Sequence, residues 1–215
     1  MGFEFVYRME HVLDVYEQPY DADYPVVCLD ESPRQLIGER RESFIDEHGV
    51  EHVDYEYTRQ GTADLYMVVE PLAGRREVLV TDQHTRFDWA KVVAHVVEQM
   101  YPTAKKITLV QDNLSAHKAS AFYELFEPQR ARNIVKKLEC VFTPKHGSWL
   151  NIAEIELSVL TRQGLKPRVA SKEELERQVT AWYETRNGKG SQVDWQFTTK
   201  DARTKLKRLY PSIKS

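Results

Sequence analysis

Cysteine is scarce in this chain. Its 215 residues hold two, Cys28 and Cys140, too few for a disulfide-stapled secreted scaffold. Neither belongs to a C-x-x-C pair and no H-E-x-x-H occurs, so a zinc centre lacks its usual ligand spacing. Both read as small buried hydrophobes on strands. No uncharged apolar run approaches the ~18 residues of a membrane span. The opening stretch, MGFEFVYRMEHVLDVYE, carries acids early and has no A-x-A site, unlike a signal peptide. These absences predict a soluble, reducing, cytoplasmic setting with no membrane partner. G-x-S-x-G, a Walker loop and G-x-G-x-x-G are missing too, which removes support for serine hydrolase, P-loop and dinucleotide-binding readings. No internal repeat and no interdomain linker interrupts the chain, so residues 1–215 read as a single domain.

What is present suits a globular enzyme-sized domain: 41% hydrophobic and 29% charged residues, with nine Gly and nine Pro. The net charge of -3 hides a split. Residues 1–100 hold 9 Lys+Arg against 21 Asp+Glu, and residues 101–215 hold 21 against 12. Opposite signs on the two halves suggest a local polyanion-facing surface or mutual attraction; solvated surface distributed by chance is the alternative.

Strand-like and helix-like segments alternate. Pro25 to Asp30 is a short apolar run ending in an acid. Leu65–Glu70 and Glu77–Thr81, separated by Leu72-Ala73-Gly74, predict adjacent antiparallel strands. Trp89, Val92, Val93, Val96, Val97 and Met100 recur with helical spacing, with Thr85 and Asp88 as a plausible cap. Ile107 to Asp112 is a second short strand ending in an acid. Residues 116–138 read as helical with a break near Pro128, Cys140–Thr143 as a brief strand, and 149–163 as a helix. Ser171 and Glu174 form a capping-box pattern for a helix that Asn187-Gly188 stops. A basic helix covers about 199–209. Residues 31–63 are charged and unpatterned, a long loop with room for a hairpin. Antiparallel strands followed by helix-connected strands predict an α/β domain with a mixed sheet.

Acids at the ends of apolar strands need a partner, because an unpaired charge is costly in an apolar setting. Asp30 and Asp112 both sit so, either capping turns or sharing a cation. At ~100° per residue, Glu154 shares a helix face with Leu150, Leu157 and Thr161, whereas Glu156 lies about 160° away. Glu154 is thus the acid on an apolar stripe, to be neutralised by an Arg or by the same cation. Three convergent carboxylates suit Mg²⁺ or Mn²⁺, and two such ions would serve phosphoryl transfer.

Val27-Cys28-Leu29-Asp30-Glu31, Val110-Gln111-Asp112-Asn113 with His117, and Thr143-Pro144-Lys145-His146-Gly147-Ser148-Trp149-Leu150-Asn151-Ile152-Ala153-Glu154 closely resemble the catalytic motifs of DDE transposases. The nearest group is the bacterial insertion-sequence branch related to mariner elements. Met9 to Tyr16 and the stretch from Trp182 through Thr199 look like the same group, so the likeness covers nearly the whole chain. It implies a ribonuclease-H-like fold, a five-stranded mixed sheet flanked by helices. Asp30 would lie on the first strand, Asp112 at the end of the fourth and Glu154 on a helix after the fifth. Residues 1–24 would form a lead-in, 25–165 the catalytic core and 166–215 C-terminal helices. The implied activity is Mg²⁺-dependent cleavage at element ends and transfer of the freed 3′-hydroxyl into target DNA, with Mn²⁺ able to substitute and a homodimer as the active complex. Alternatives are a plain metal-dependent nuclease and an inactive DNA-binding remnant. Asn113 and His117 would orient a metal-bound water or touch a phosphate, or else form a turn and a solvated His. Lys145 and His146 would touch DNA or lie in a solvated loop. Asn151 would fix the start of the helix carrying Glu154, and Trp149 would pack beneath the site. Two departures stand out. About 25 residues precede the first catalytic strand, too few for the family's usual helix-turn-helix, which leaves three readings: one of two overlapping reading frames with a separately encoded helix-turn-helix partner, a truncated copy, or a catalytic-core fragment. The 41 residues between Asp112 and Glu154 exceed the usual spacing, with the surplus placed around Gln129–Leu138.

Overall fold

A computed structural model describes residues 2–39, 44–45, 47–49, 51–52, 56–114 and 117–212. In chain order the elements are α1 (Phe3–Tyr16), β1 (Val26–Glu39), β2 (Phe44–Ile45), β3 (Glu51–His52), β4 (Tyr57–Glu70), β5 (Arg75–Thr81), α2 (Arg86–His95), β6 (Ile107–Gln111), α3 (Ser120–Leu125), α4 (Pro128–Lys137), β7 (Leu138–Phe142), α5 (Ile152–Gln163), α6 (Lys172–Gly188) and α7 (Thr199–Lys205). A π-helical turn, Val96–Met100, extends α2, and a 3-10 turn, Ser148–Leu150, precedes α5.

Five strands form one sheet in the order β5-β4-β1-β6-β7. β4 runs antiparallel to both β1 and β5, while β6 pairs parallel to β1 and β7 parallel to β6. This is the expected mixed sheet. Side chains alternate between its faces, as strands require. Val27 and Leu29 join Tyr66, Val68, Ile107 and Leu109 beneath α2, α3 and α4. Cys28, Met67, Val69, Val110 and Val141 join α1, α5 and α6 on the opposite face. Helices therefore cover both faces, and among the described residues none is long and apolar enough to cross a membrane.

Local signals explain most boundaries. Thr85 and Asp88 form a complete capping box on α2. Pro128 opens α4, where its missing N–H costs nothing. Ser171 accepts from the Glu174 N–H at the start of α6, but Glu174 turns its carboxylate to Gln178 instead of completing the box. Gly74, at φ +66°, closes the β4–β5 turn in the left-handed region.

Three expectations need correction. Asp30 does not end its strand: β1 runs on to Glu39, and much of the predicted loop is the long antiparallel β1–β4 pair. The continuation, Glu31-Ser32-Pro33-Arg34-Gln35, lacks apolar alternation because several of its side chains are exposed. A bulge with Gly61 at φ +111° shifts its register between Leu36 and Ile37. Cys140 is exposed on the edge strand β7, not buried. Trp149 is 40% exposed and meets Phe197 edge-on at 6.2 Å; its neighbour Leu150 fills the core place instead.

Candidate active site

The parallel pairing of β1 with β6 runs from Val26–Thr108 to Cys28–Val110 and stops there. Beyond it no backbone pairing joins the two strands, and the cleft opens there, past the carboxyl end of β6. Asp30 lies two residues past the last pair on β1, and Asp112 follows the last residue of β6. Glu154 comes from α5, laid across that end. Asp30, Glu31, Asp112 and Glu154 line a single cleft with Ser148, Leu157, Ser158, Thr161 and Arg162. The structure thus brings the three sequence-selected acids together and adds Glu31.

Identifiable contacts hold Asp112 and the helix that carries Glu154. Thr143 Oγ1 donates to Asp112 Oδ1 at 2.6 Å. Asn151 caps α5 by accepting from the Ala153 N–H at 3.1 Å, and its amide donates to the Leu29 carbonyl at 3.0 Å. One side chain therefore starts the helix carrying Glu154 and fastens it beside Asp30. Glu154 falls in the first turn of α5, where the helix dipole favours an anion. Glu156 points elsewhere: it is 3% exposed and sits between Arg76 at 3.0 Å and Arg186 at 3.1 Å.

The acids feel one another. The Asp30 carboxyl is pushed from its ordinary 3.8 up to about 7, first by burial, then by the charges of Asp112 and Glu31, with Glu154 adding to them. One carboxylate oxygen of Glu154 and one of Glu31 are buried without a hydrogen-bond donor. Glu154 makes no ion pair among the described residues. Orphaned oxygens beside a proton-retaining carboxyl are what an all-oxygen cation site presents without its cation. The cage is not ready-made, however: among the described residues no three His, Cys, Asp or Glu side chains stand where they could already hold a metal ion.

Two further groups shape the cleft. His117 is not solvated. Its side chain is 2% exposed, stacked on Trp89 at 5.3 Å, with Nδ1 3.0 Å from the Asp112 carbonyl and Nε2 3.3 Å from Glu31. Burial and two protein partners take it out of reach of a DNA phosphate. Asn113, Lys145 and His146 are exposed near the rim's loops. Tyr16, at the end of α1, has no catalytic motif to flag it, yet its hydroxyl donates to the Leu150 carbonyl at 2.8 Å and lies 3.3 Å from Cys28 Sγ. Only its place in the stretch Met9–Tyr16 hinted at a role.

Known structures share this arrangement of elements. A pre-cleavage Mos1 transpososome matches with a TM-score of 0.60 at 12% identity, over 98% of this chain and 63% of that one. The Mos1 mariner paired-end complex with Mn matches at 0.56 and 14%, over 89% and 59%. The Mos1 strand transfer complex matches at 0.57 and 13%, over 87% and 56%. At these identities the likeness is one of fold, and the chain spans about three-fifths of the length of those proteins. No curated protein matches the chain. The family model for the DDE superfamily endonuclease matches residues 25–176, a span that contains all four cleft acids, and the chain belongs to that family.

Proposed function

We propose that this chain is the catalytic domain of an insertion-sequence transposase that cleaves DNA at element ends and joins the freed 3′-hydroxyl to target DNA. The carrying observation is the shared cleft of Asp30, Asp112 and Glu154, where burial and then the neighbouring acids raise the Asp30 carboxyl. These three would hold Mg²⁺ or Mn²⁺, after side-chain adjustment that closes the set. When bound, the ions supply activation of a water or 3′-hydroxyl and neutralisation of the departing oxygen.

The protein's own part is positioning and charge. Thr143 and Asn151 fix two of the acids. Arg162, the one basic residue lining the cleft among the described residues, spends its Nε on the Ser158 carbonyl. Its remaining guanidinium donors face a phosphodiester entering the cleft. Asn113, Lys145 and His146, all exposed, would meet the DNA further out. The Mos1 structures are described as complexes with a transposon end, with Mn and with Mg, which supports DNA and divalent cations as this chain's ligands. A homodimer, a separately encoded helix-turn-helix partner and membership of the bacterial branch complete the reading.

The test is nicking of element-end DNA with Mn²⁺ or Mg²⁺. Asp30→Ala, Asp112→Ala and Glu154→Ala each abolish it while the protein stays folded. Glu156→Ala instead lowers the unfolding free energy by about 3–5 kcal/mol, because it strands Arg76. Retained nicking in the Glu154 variant would overturn the assignment. Pre-cleaved ends that are never joined to target would reduce the activity to that of a plain nuclease.

A further inference from the structure

We propose that His117 is a positioning residue that braces the open end of the β1–β6 pair, holding Asp112 and Glu31 across the gap in which the cleft lies. This rests on the catalytic reading above but is argued from separate contacts. Backbone pairing between the strands ends at Cys28–Val110, so no ladder hydrogen bond fixes the spacing of Asp30 and Asp112. Side-chain contacts flank that gap instead. On the α5 face, Asn151 ties α5 to Leu29 of β1. On the α2 face, His117 meets the Asp112 carbonyl through Nδ1 and the Glu31 carboxylate through Nε2.

The chemistry sets the direction of the first bond. A carbonyl oxygen only accepts, so Nδ1 carries the proton and donates to Asp112. Nε2 is thereby turned to Glu31, and because a carboxylate oxygen only accepts, that 3.3 Å contact takes a second proton shared between Nε2 and Oε1. The ring cannot swing away, because it lies nearly parallel to Trp89, at 16°. Trp89 is in turn fixed by its indole N–H donating to Gln111 Oε1 at 2.9 Å, one residue before Asp112. The brace is closed: β6 holds Trp89, Trp89 holds His117, and His117 holds the end of β6 against β1. Glu31, turned toward α2 by strand alternation while it still lines the cleft, is its anchor.

Asn at this position would keep a donor near Nδ1, whereas Gln would place its amide near Nε2. The test uses the full chain with His117→Ala, His117→Asn and His117→Gln, each checked for a cooperative thermal transition. Without metal, amide hydrogen exchange of residues 107–114 should rise about tenfold in the Ala variant, with Asn restoring protection and Gln restoring less. Mn²⁺ affinity should fall about 10- to 100-fold in the Ala variant, the usual cost of losing support behind a ligand. DNA affinity in EDTA should stay within about twofold. Unchanged exchange and Mn²⁺ affinity in the Ala variant, or loss of metal-free DNA affinity instead, would overturn the brace. If Ala does not fold, equal exchange in the Asn and Gln variants would do so. Should the wild type bind no Mn²⁺, the catalytic reading fails, and the exchange data still decide the brace.

Discussion

At the residue scale, the cleft is defined by a carboxyl that keeps its proton. Burial and then the charges of Asp112, Glu31 and Glu154 raise the Asp30 carboxyl from its ordinary 3.8 to about 7. Between those values the folded chain binds a proton that the unfolded chain releases. Its contribution to stability is therefore full below about pH 4 and is lost as pH rises toward 7. Denaturant unfolding of the metal-free protein between pH 4 and 8 should show this decline, and Asp30→Asn should flatten it. A decline that persists unchanged in that variant would place the proton elsewhere. Legibility at this scale was uneven. The acids could be chosen from strand ends and helical angles, and Glu156 could be set aside by the same geometry. What could not be read was burial. His117 and Trp149 carried plausible surface and core roles and exchanged them, because each depends on which distant element lies above it.

At the element scale, α5 is held at its first turn from two directions. Asn151 caps it and reaches β1, and Tyr16 on α1 bonds the Leu150 carbonyl just before it. Trp195 packs on the Tyr16 ring at 5.3 Å. Tyr16→Phe removes the hydroxyl and leaves that carbonyl buried and unpaired, at a cost of about 1–3 kcal/mol. Glu154 should then lose its fixed place, so nicking should fall in kcat more than in KM. A variant that matches wild-type turnover at lowered Tm would confine Tyr16 to stability alone. No local pattern could announce this contact, since its partners are 134 residues apart. The long β1 was obscured for a related reason. Strand signals come from a buried face, and past Asp30 the strand has largely lost one.

At the scale of the whole molecule, charge and site are interleaved. The four cleft acids come from both halves of the chain, and of the cations in the basic half near Glu154, Arg162 lines the cleft itself. Lys137, also counted there, instead donates to the Pro102 carbonyl beside α2's π-turn. Arg162 is the one basic residue lining the cleft among the described residues, so the proposed phosphate contact there is local. Affinity for DNA should fall linearly on a log–log salt plot, and Arg162→Ala should make the slope shallower by about one. An unchanged slope would move the phosphate contact off the cleft wall.

The far edge of the sheet carries a different consequence. β5 is an outer strand, yet at Arg76 its backbone N–H donates to Asn187 Oδ1 and its carbonyl accepts from Asn187 Nδ2. A side-chain amide thus imitates the peptide of a neighbouring strand and occupies the place where a foreign chain would zip on. The last turn of α6 guards the protein against polymerising through that edge. A chain cut before α6 would expose the vacant pair and self-associate through β5.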